Sequence, residues 1–253
     1  MDDNEKASAV ARYRTLSGIW RAVFVLGGAL ALFLAINQIF SLKLLGISLI
    51  ENRYLYSLLA LYLAPVFLIF PATSRAPRHH VPWYDAVLFV VALAVISYFF
   101  WHGPDIILKA WEFTAPTEPT IIAIALWAIV LEAARRTSGL LICIVFGLFS
   151  LYPLVADQMP TVIAGHSFEF LATARYHAMS VESILGIAMR TFGSLIIGFL
   201  VFGVALQATG AGTFFLNLAF GLLGSVRGGP AKVAVVSSGL FGSLSGSAVS
   251  NVI

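Results

Sequence analysis

The sequence predicts an all-α integral membrane protein with about six transmembrane helices, interfacial helices between them and the start of a re-entrant helical hairpin. Of its 253 residues, 60% are hydrophobic and 11% are charged, and the mean hydropathy is +0.94. Soluble domains carry about 25% charged residues, whereas several apolar segments here approach the roughly 20 residues that a spanning helix needs. These observations exclude a soluble globular domain.

Six segments have the length and the polar flanks of membrane spans. The fourth and the fifth are short. The predicted spans are Arg21–Phe40, Tyr54–Phe70, Trp83–Trp101, Pro119–Ala133, Gly139–Leu154 and Ile184–Leu206.

The connections between the spans carry two kinds of signal. In "LEAARRTSG", Glu132 stands three and four residues before Arg135 and Arg136, a favourable ion-pair spacing on a helix, although a plain positively charged stop at the inner surface explains the same residues. The segments Pro104–Phe113 and Ser167–Met179 mix apolar and polar residues at helical spacing. They are predicted to be amphipathic surface helices.

The distribution of Lys and Arg predicts a cytoplasmic N-terminus. With six crossings, ten of the 15 basic residues fall on the inner side and four on the outer side, and Arg190 lies inside a span. This arrangement leaves no basic patch for nucleic acid, and a single cysteine, Cys143, excludes a disulfide framework or a cysteine-based zinc site. The inner set is Lys6, Arg12, Arg14, Arg21, Arg75, Arg78, Arg135, Arg136, Arg227 and Lys232, and the outer set is Lys43, Arg53, Lys109 and Arg175.

After the sixth span the pattern changes, because glycines interrupt the apolar sequence. Thr213–Leu223 is predicted to be a helix near the inner interface, followed by a basic turn. The next apolar run, Val233–Gly242, has about ten residues, and a helix of that length rises about 15 Å, half of a bilayer. We therefore expect a helix that enters the membrane from the cytoplasm without crossing it.

The segment "GSLSGSAVSN" that follows has two interpretations. Gly242 and Gly246 allow the backbone to turn, and the hydroxyl and amide oxygens of Ser243, Ser245, Ser247 and Asn251 are ligands that suit Na⁺. Broken helices at membrane depth use this chemistry in transporters. The same glycines also form a small-xxx-small pair, which is typical of a helix-packing face.

The stretch from "GVALQATGAG" to "RGGPAKVAVVSSGLFGSLSGSAVSNV" resembles the large membrane subunit of tripartite ATP-independent periplasmic (TRAP) transporters, in particular the fused permeases paired with TAXI-type binding proteins. "LEAARRTSG" and the spacing to "HAMSVESILGIAMR" are similar to the same fusions, so the resemblance covers about residues 125–253. It implies a Na⁺-driven symporter of the bacterial inner membrane that receives an organic acid or related solute from a periplasmic binding protein. Besides Na⁺ as coupling ion, no cofactor or metal is implied.

Carried over residue by residue, the resemblance places Gly242, Ser243, Ser245, Gly246, Ser247 and Asn251 at the tip of the first hairpin, against Na⁺ and solute. It also implies a second structural repeat, which these 253 residues do not contain. We therefore expect a cytoplasmic tail at 1–20, small-subunit-like helices at 21–160 and the start of a large-subunit-like transport region at 161–253. The sequence would then be the N-terminal part of a longer permease, or a truncated product.

Arg190 lies about seven residues into the sixth span. An arginine at membrane depth is costly, so it usually faces a cavity or a partner. The guanidinium of Arg190 would bind the solute carboxylate or help the binding protein to dock. Alternatively, the side chain would extend to the outer interface.

The alternative to a symporter is a non-transporting membrane scaffold or assembly subunit, in which the Gly/Ser segment only packs. A membrane enzyme is disfavoured, because the spans carry no convergent acid/base pair and no nucleophile next to a base.

Overall fold

A computed structural model describes residues 13–73 and 76–245, and every regular element in those ranges is helical. The α-helices are α1 (Gly18–Ile39), α2 (Glu51–Leu63), α3 (Val66–Ile69), α4 (Trp83–Trp101), α5 (Gly103–Leu108), α6 (Trp111–Thr114), α7 (Thr117–Ser138), α8 (Leu140–Leu151), α9 (Phe170–Met179), α10 (Ile187–Thr191), α11 (Ile197–Ala208), α12 (Ala211–Leu223) and α13 (Gly229–Ser245).

Five helical segments of the described residues are long and apolar enough to cross a membrane. They confirm the prediction of an all-α membrane protein and match five of the six predicted spans, the third of them residue for residue. The five segments are Gly18–Ile39, Glu51–Ile69, Trp83–Trp101, Thr117–Ser138 and Ile187–Leu206.

The predicted fifth span, Gly139–Leu154, is shorter than a crossing helix. Its α-helix, α8, has 12 residues, which rise about 18 Å, against a hydrocarbon core of about 30 Å. The chain then tightens into a 3₁₀ turn at Tyr152–Leu154, because Pro153 has no amide hydrogen to continue the α-helix. At the other end Gly139, with a φ of 93°, separates α8 from α7.

The two segments predicted as amphipathic helices are helical. Pro104–Phe113 is divided between α5 and α6, because Ala110 takes a left-handed conformation with a φ of 48°. In Ser167–Met179 the helix α9 begins at Phe170 and packs against α6 and α7. Its buried face holds Thr173, Ala174, Ala178 and Met179.

The chain divides into two compact units after Arg190. In the first, α2 lies at the centre and contacts α1 and α4. Tyr56 of α2 is fully buried, stacks on Phe99 at 5.6 Å between ring centroids and donates a hydrogen bond of 2.8 Å to the carbonyl of Ala178. This bond ties α2 to α9, so the amphipathic helix belongs to the core of the unit.

In the second unit α11, α12 and α13 pack against one another. Small and branched apolar side chains fill their contacts, among them Ile197, Ala219 and Val233, each at most 3% exposed. The predicted helix Thr213–Leu223 is confirmed as α12, which begins two residues earlier.

Candidate functional site

The terminal helix is longer than the sequence predicted. The prediction gave a helix of about ten residues at Val233–Gly242, whereas α13 has 17 residues from Gly229 to Ser245. The helix starts early because Gly228 is left-handed, with a φ of 76°, and Pro230 fits the first turn, where its missing amide hydrogen has no partner to lose. The 17 described residues rise about 25 Å, against a bilayer core of about 30 Å.

Three of the six predicted hairpin-tip residues lie within the described part of this helix. The backbones of Gly242, Ser243 and Ser245 are helical and belong to α13. Gly246, Ser247 and Asn251 lie outside the described residues. The role of all six at a Na⁺ and solute site stays a prediction.

The structure places Arg190 beside Glu51. Nε of Arg190 lies 3.3 Å from Oε1 of Glu51, and the two side chains are 40% and 62% exposed. An exposed ion pair contributes about 0–1 kcal/mol. The pair lies where α2 begins, and the predicted topology places that end of α2 outside. Arg190 therefore has an acidic neighbour near the predicted outer surface. The role of Arg190 toward the solute stays a prediction.

The most extensive polar cluster among the described residues is an ion-pair network at the opposite end of α2, which we call the arginine clasp (Arg14, Asp85, Glu132, Arg135 and Arg136). Both oxygens of the fully buried Asp85 are paired: Oδ2 accepts from Arg14 at 2.8 Å, and Oδ1 accepts from Arg136 at 2.7 Å. Arg136 also donates to Glu132 at 2.7 Å, and Arg135 donates twice to the same carboxylate at 2.7 Å. The predicted pairing of Glu132 with both arginines is confirmed.

The same arginines cap the carboxyl end of the second span. The last carbonyls of a helix have no partner within it, and at this end the guanidinium of Arg14 donates to the carbonyl of Leu68 at 2.8 Å. Arg136 donates to the carbonyl of Phe70 and Arg135 to that of Ala72, at 3.2 and 3.0 Å. One network therefore fixes the N-terminal segment, the end of α3, the start of α4 and the end of α7.

Sequence reasoning missed the link between Arg14 and Asp85, which are 71 positions apart. A signal was present: Asp85 is a carboxylate in the first turn of an otherwise apolar span, and a charge in such a place needs a partner. The clasp itself offers no free reactive group for chemistry. Its carboxylates are saturated by guanidinium hydrogen bonds, so it can hold helices together and does not suggest catalysis.

A second polar cluster links α7, α8 and α9. Nε2 of His177 lies 2.7 Å from the carbonyl oxygen of Ser150, and its Nδ1 lies 3.0 Å from Oγ of Ser183. Trp127 donates to Oγ of Ser150 at 3.2 Å, and its ring centroid is 5.0 Å from that of His177. In the described part of the chain no group of three or more His, Cys, Asp or Glu side chains is placed to hold a metal ion.

Comparison with known proteins identifies one family. Residues 125–253 match the family described as "Tripartite ATP-independent periplasmic transporter, DctM component". No curated protein and no solved structure matches the chain.

The match begins within α7 and covers just over half of the chain. Glu132, Arg135 and Arg136 of the arginine clasp lie inside it, while Arg14 and Asp85 lie before it. The first part of the chain is thus joined by buried ion pairs to the start of the matched part. The chain belongs to the DctM family, the permease component of TRAP transporters.

Proposed function

We propose that this permease acts in Na⁺-driven symport of an organic acid or related small solute across the bacterial inner membrane, taking the solute from a periplasmic TAXI-type binding protein. The observation that carries the proposal is the family match over residues 125–253. The family supports transport and a periplasmic partner in general. Sodium coupling, the class of solute and the type of partner are the finer parts of the proposal.

The Gly/Ser segment at the end of α13 supports the choice of Na⁺. Hydroxyl and carbonyl oxygens are the donors that hard cations prefer, and the broken helices of transporters present them at membrane depth. Ser243, Ser245, Ser247 and Asn251 provide such oxygens, and Gly246, which follows the described part of α13, gives the backbone freedom to turn. Together with Gly242, these five residues form the proposed tip that faces Na⁺ and solute.

The proposed orientation, with the N-terminus in the cytoplasm, is supported by the charge distribution. The arginine clasp lies at the end of the first unit where α3 ends, α4 begins and α7 ends. Its three arginines belong to the basic set that the sequence assigns to the inner side. Arg190 and Glu51 lie at the opposite end, where α2 begins and solute would arrive.

The hairpin proposal is tested by replacing Ser245 and Ser247 with alanine in the native polypeptide, reconstituted in proteoliposomes with its binding protein. Loss of coordinating oxygens should raise the Na⁺ concentration for half-maximal uptake by roughly tenfold, about 1.4 kcal/mol. Ser237→Ala is the matched control, because the Ser237 hydroxyl bonds to the carbonyl of Ala234 in its own helix at 3.2 Å. Unchanged Na⁺ activation in the double variant would contradict the assignment.

A second candidate function is a membrane scaffold that does not itself transport. The arginine clasp favours it, since it fixes helices of the first unit with buried charges and offers no ligand site. Stable co-purification with a separate permease, together with no Na⁺-stimulated uptake when the binding protein is added, would support the scaffold and exclude the symporter.

A further inference from the structure

A cavity of about 490 Å³ lies between α7, α8 and α9. Its volume is in the range of small-ligand sites, about 300–1,000 Å³. The walls are mostly apolar and come from all three helices and the turn after α9. Leu126, Val130, Phe146, Phe149, Ala178 and Ile184 are among the lining residues.

The polar side chains in this wall are already paired with one another. A carbonyl oxygen only accepts, so His177 Nε2 donates to the Ser150 carbonyl, and Nδ1 of the same ring is paired with the Ser183 hydroxyl. The Ser150 hydroxyl accepts from Trp127 and donates to the carbonyl of Gly147 at 2.9 Å. A polar solute would therefore find the lining donors and acceptors occupied, and an apolar occupant fits the cavity better.

The cavity opens at an exposed apolar surface of the unit. Phe146 and Phe149 form part of its wall and are 53% and 75% exposed, and no residue of α8 is buried. This apolar surface is suited to contact with acyl chains, which would enter the cavity from its rim.

We propose that this cavity binds one acyl chain of a membrane phospholipid. The acyl chain fills the space between α8 and the Trp127–His177 cluster, and it supplies the dispersion contacts that the cavity walls lack. It also explains how an α-helix of only 12 residues is held against α7 and α9. The site is independent of the Na⁺ and solute site proposed above.

The experiment uses the native polypeptide in nanodiscs that contain a phosphatidylcholine with a photoreactive diazirine on one acyl chain. After illumination, mass spectrometry of peptides should locate adducts on the cavity-lining residues of α7, α8 and α9. Val130→Phe fills the cavity from α7, and Ala178→Leu fills it from α9. Val130→Phe should lose the adducts on the buried Ala178, and Ala178→Leu those on the buried Leu126, while adducts on the exposed faces of α1 and α8 remain.

Ile121→Phe is the matched control, because Ile121 lies on the same helix as Val130 and is 61% exposed. Its adducts should equal those of the parent protein. Adducts on Ala178 that persist in Val130→Phe and on Leu126 that persist in Ala178→Leu, or a cavity cross-linked only to another protein segment, would overturn the proposal. Gel filtration and melting curves verify that each variant folds. One folded filling variant is enough for the test, because the measurement is of adducts and does not require transport activity.

Discussion

The contacts inside the first unit differ from those inside the second. Residues 13–190 are joined by buried charges and hydrogen bonds between residues far apart in sequence, such as Arg14 with Asp85 and Tyr56 with Ala178. In residues 191–245 the hydroxyls of Thr209 and Ser237 bond to carbonyls three residues earlier, and apolar side chains such as Ala219 and Val233 are buried.

This difference has a physical consequence. A buried ion pair tolerates little displacement, because each charge would lose its partner in a medium that cannot solvate it. Apolar contacts between membrane helices tolerate exchange more easily, because lipid is as apolar as the side chain it replaces. The buried ion pairs therefore give the first unit the character of a fixed frame.

The largest expected effect is that of Asp85→Asn, which would break the frame. It leaves the guanidinium groups of Arg14 and Arg136 buried without a carboxylate, a loss of about 3–5 kcal/mol in the free energy of unfolding. Unfolding of the purified protein by titration with SDS measures this value. Asp105→Asn is the control, because Asp105 pairs with the 63% exposed Lys109 and its loss should cost under about 1 kcal/mol. Equal losses in the two variants would show that the arginine clasp stabilises the protein no more than an exposed ion pair does.

A smaller loss in the free energy of unfolding is expected for Val233→Ala in α13, and this variant tests the difference between the two units. Val233 is 1% exposed within the second unit. The variant loses packing without stranding a charge, so the free energy of unfolding should fall by about 1 kcal/mol. The same SDS titration checks it, with Val235→Ala as control, since Val235 on the same helix is 72% exposed. A loss as large as that of Asp85→Asn would remove the distinction between the units.

Arg190→Gln is expected to have the smallest effect. Its half-exposed pair with Glu51 should contribute at most about 1 kcal/mol to stability. Solute affinity, measured as the concentration for half-maximal uptake, separates the two roles of the arginine. An unchanged value supports an interfacial arginine, whereas a rise of tenfold or more, about 1.4 kcal/mol, would assign the cation to the solute carboxylate.

Local features of this fold follow from the sequence, and long-range ones do not. The limits of α4 and the pairing of Glu132 with Arg135 and Arg136 depend on residues within one helix, and both are predicted correctly. The link between Arg14 and Asp85 depends on the packing of three helices, and hydropathy carries no information about it.

Helix ends show a second limit. The apolar run at Gly139–Leu154 predicts a span, but Pro153 stops the α-helix early. The run at Val233–Gly242 predicts a short helix, but Gly229 and Pro230 before it and Ser243 and Ser245 after it are helical as well. The composition of a segment indicates whether it is apolar enough to lie in a membrane. The ends of its helix depend on backbone hydrogen bonding, which composition does not describe.

The central proposal, Na⁺-coupled transport fed by a binding protein, is tested most directly by one uptake measurement. The native polypeptide is reconstituted in proteoliposomes with an inward Na⁺ gradient, and uptake of radiolabelled organic acids is measured with and without the periplasmic binding protein. We expect uptake that requires both the binding protein and Na⁺ and that is abolished when K⁺ replaces Na⁺. Uptake that proceeds equally in K⁺, or without the binding protein, would contradict the proposal.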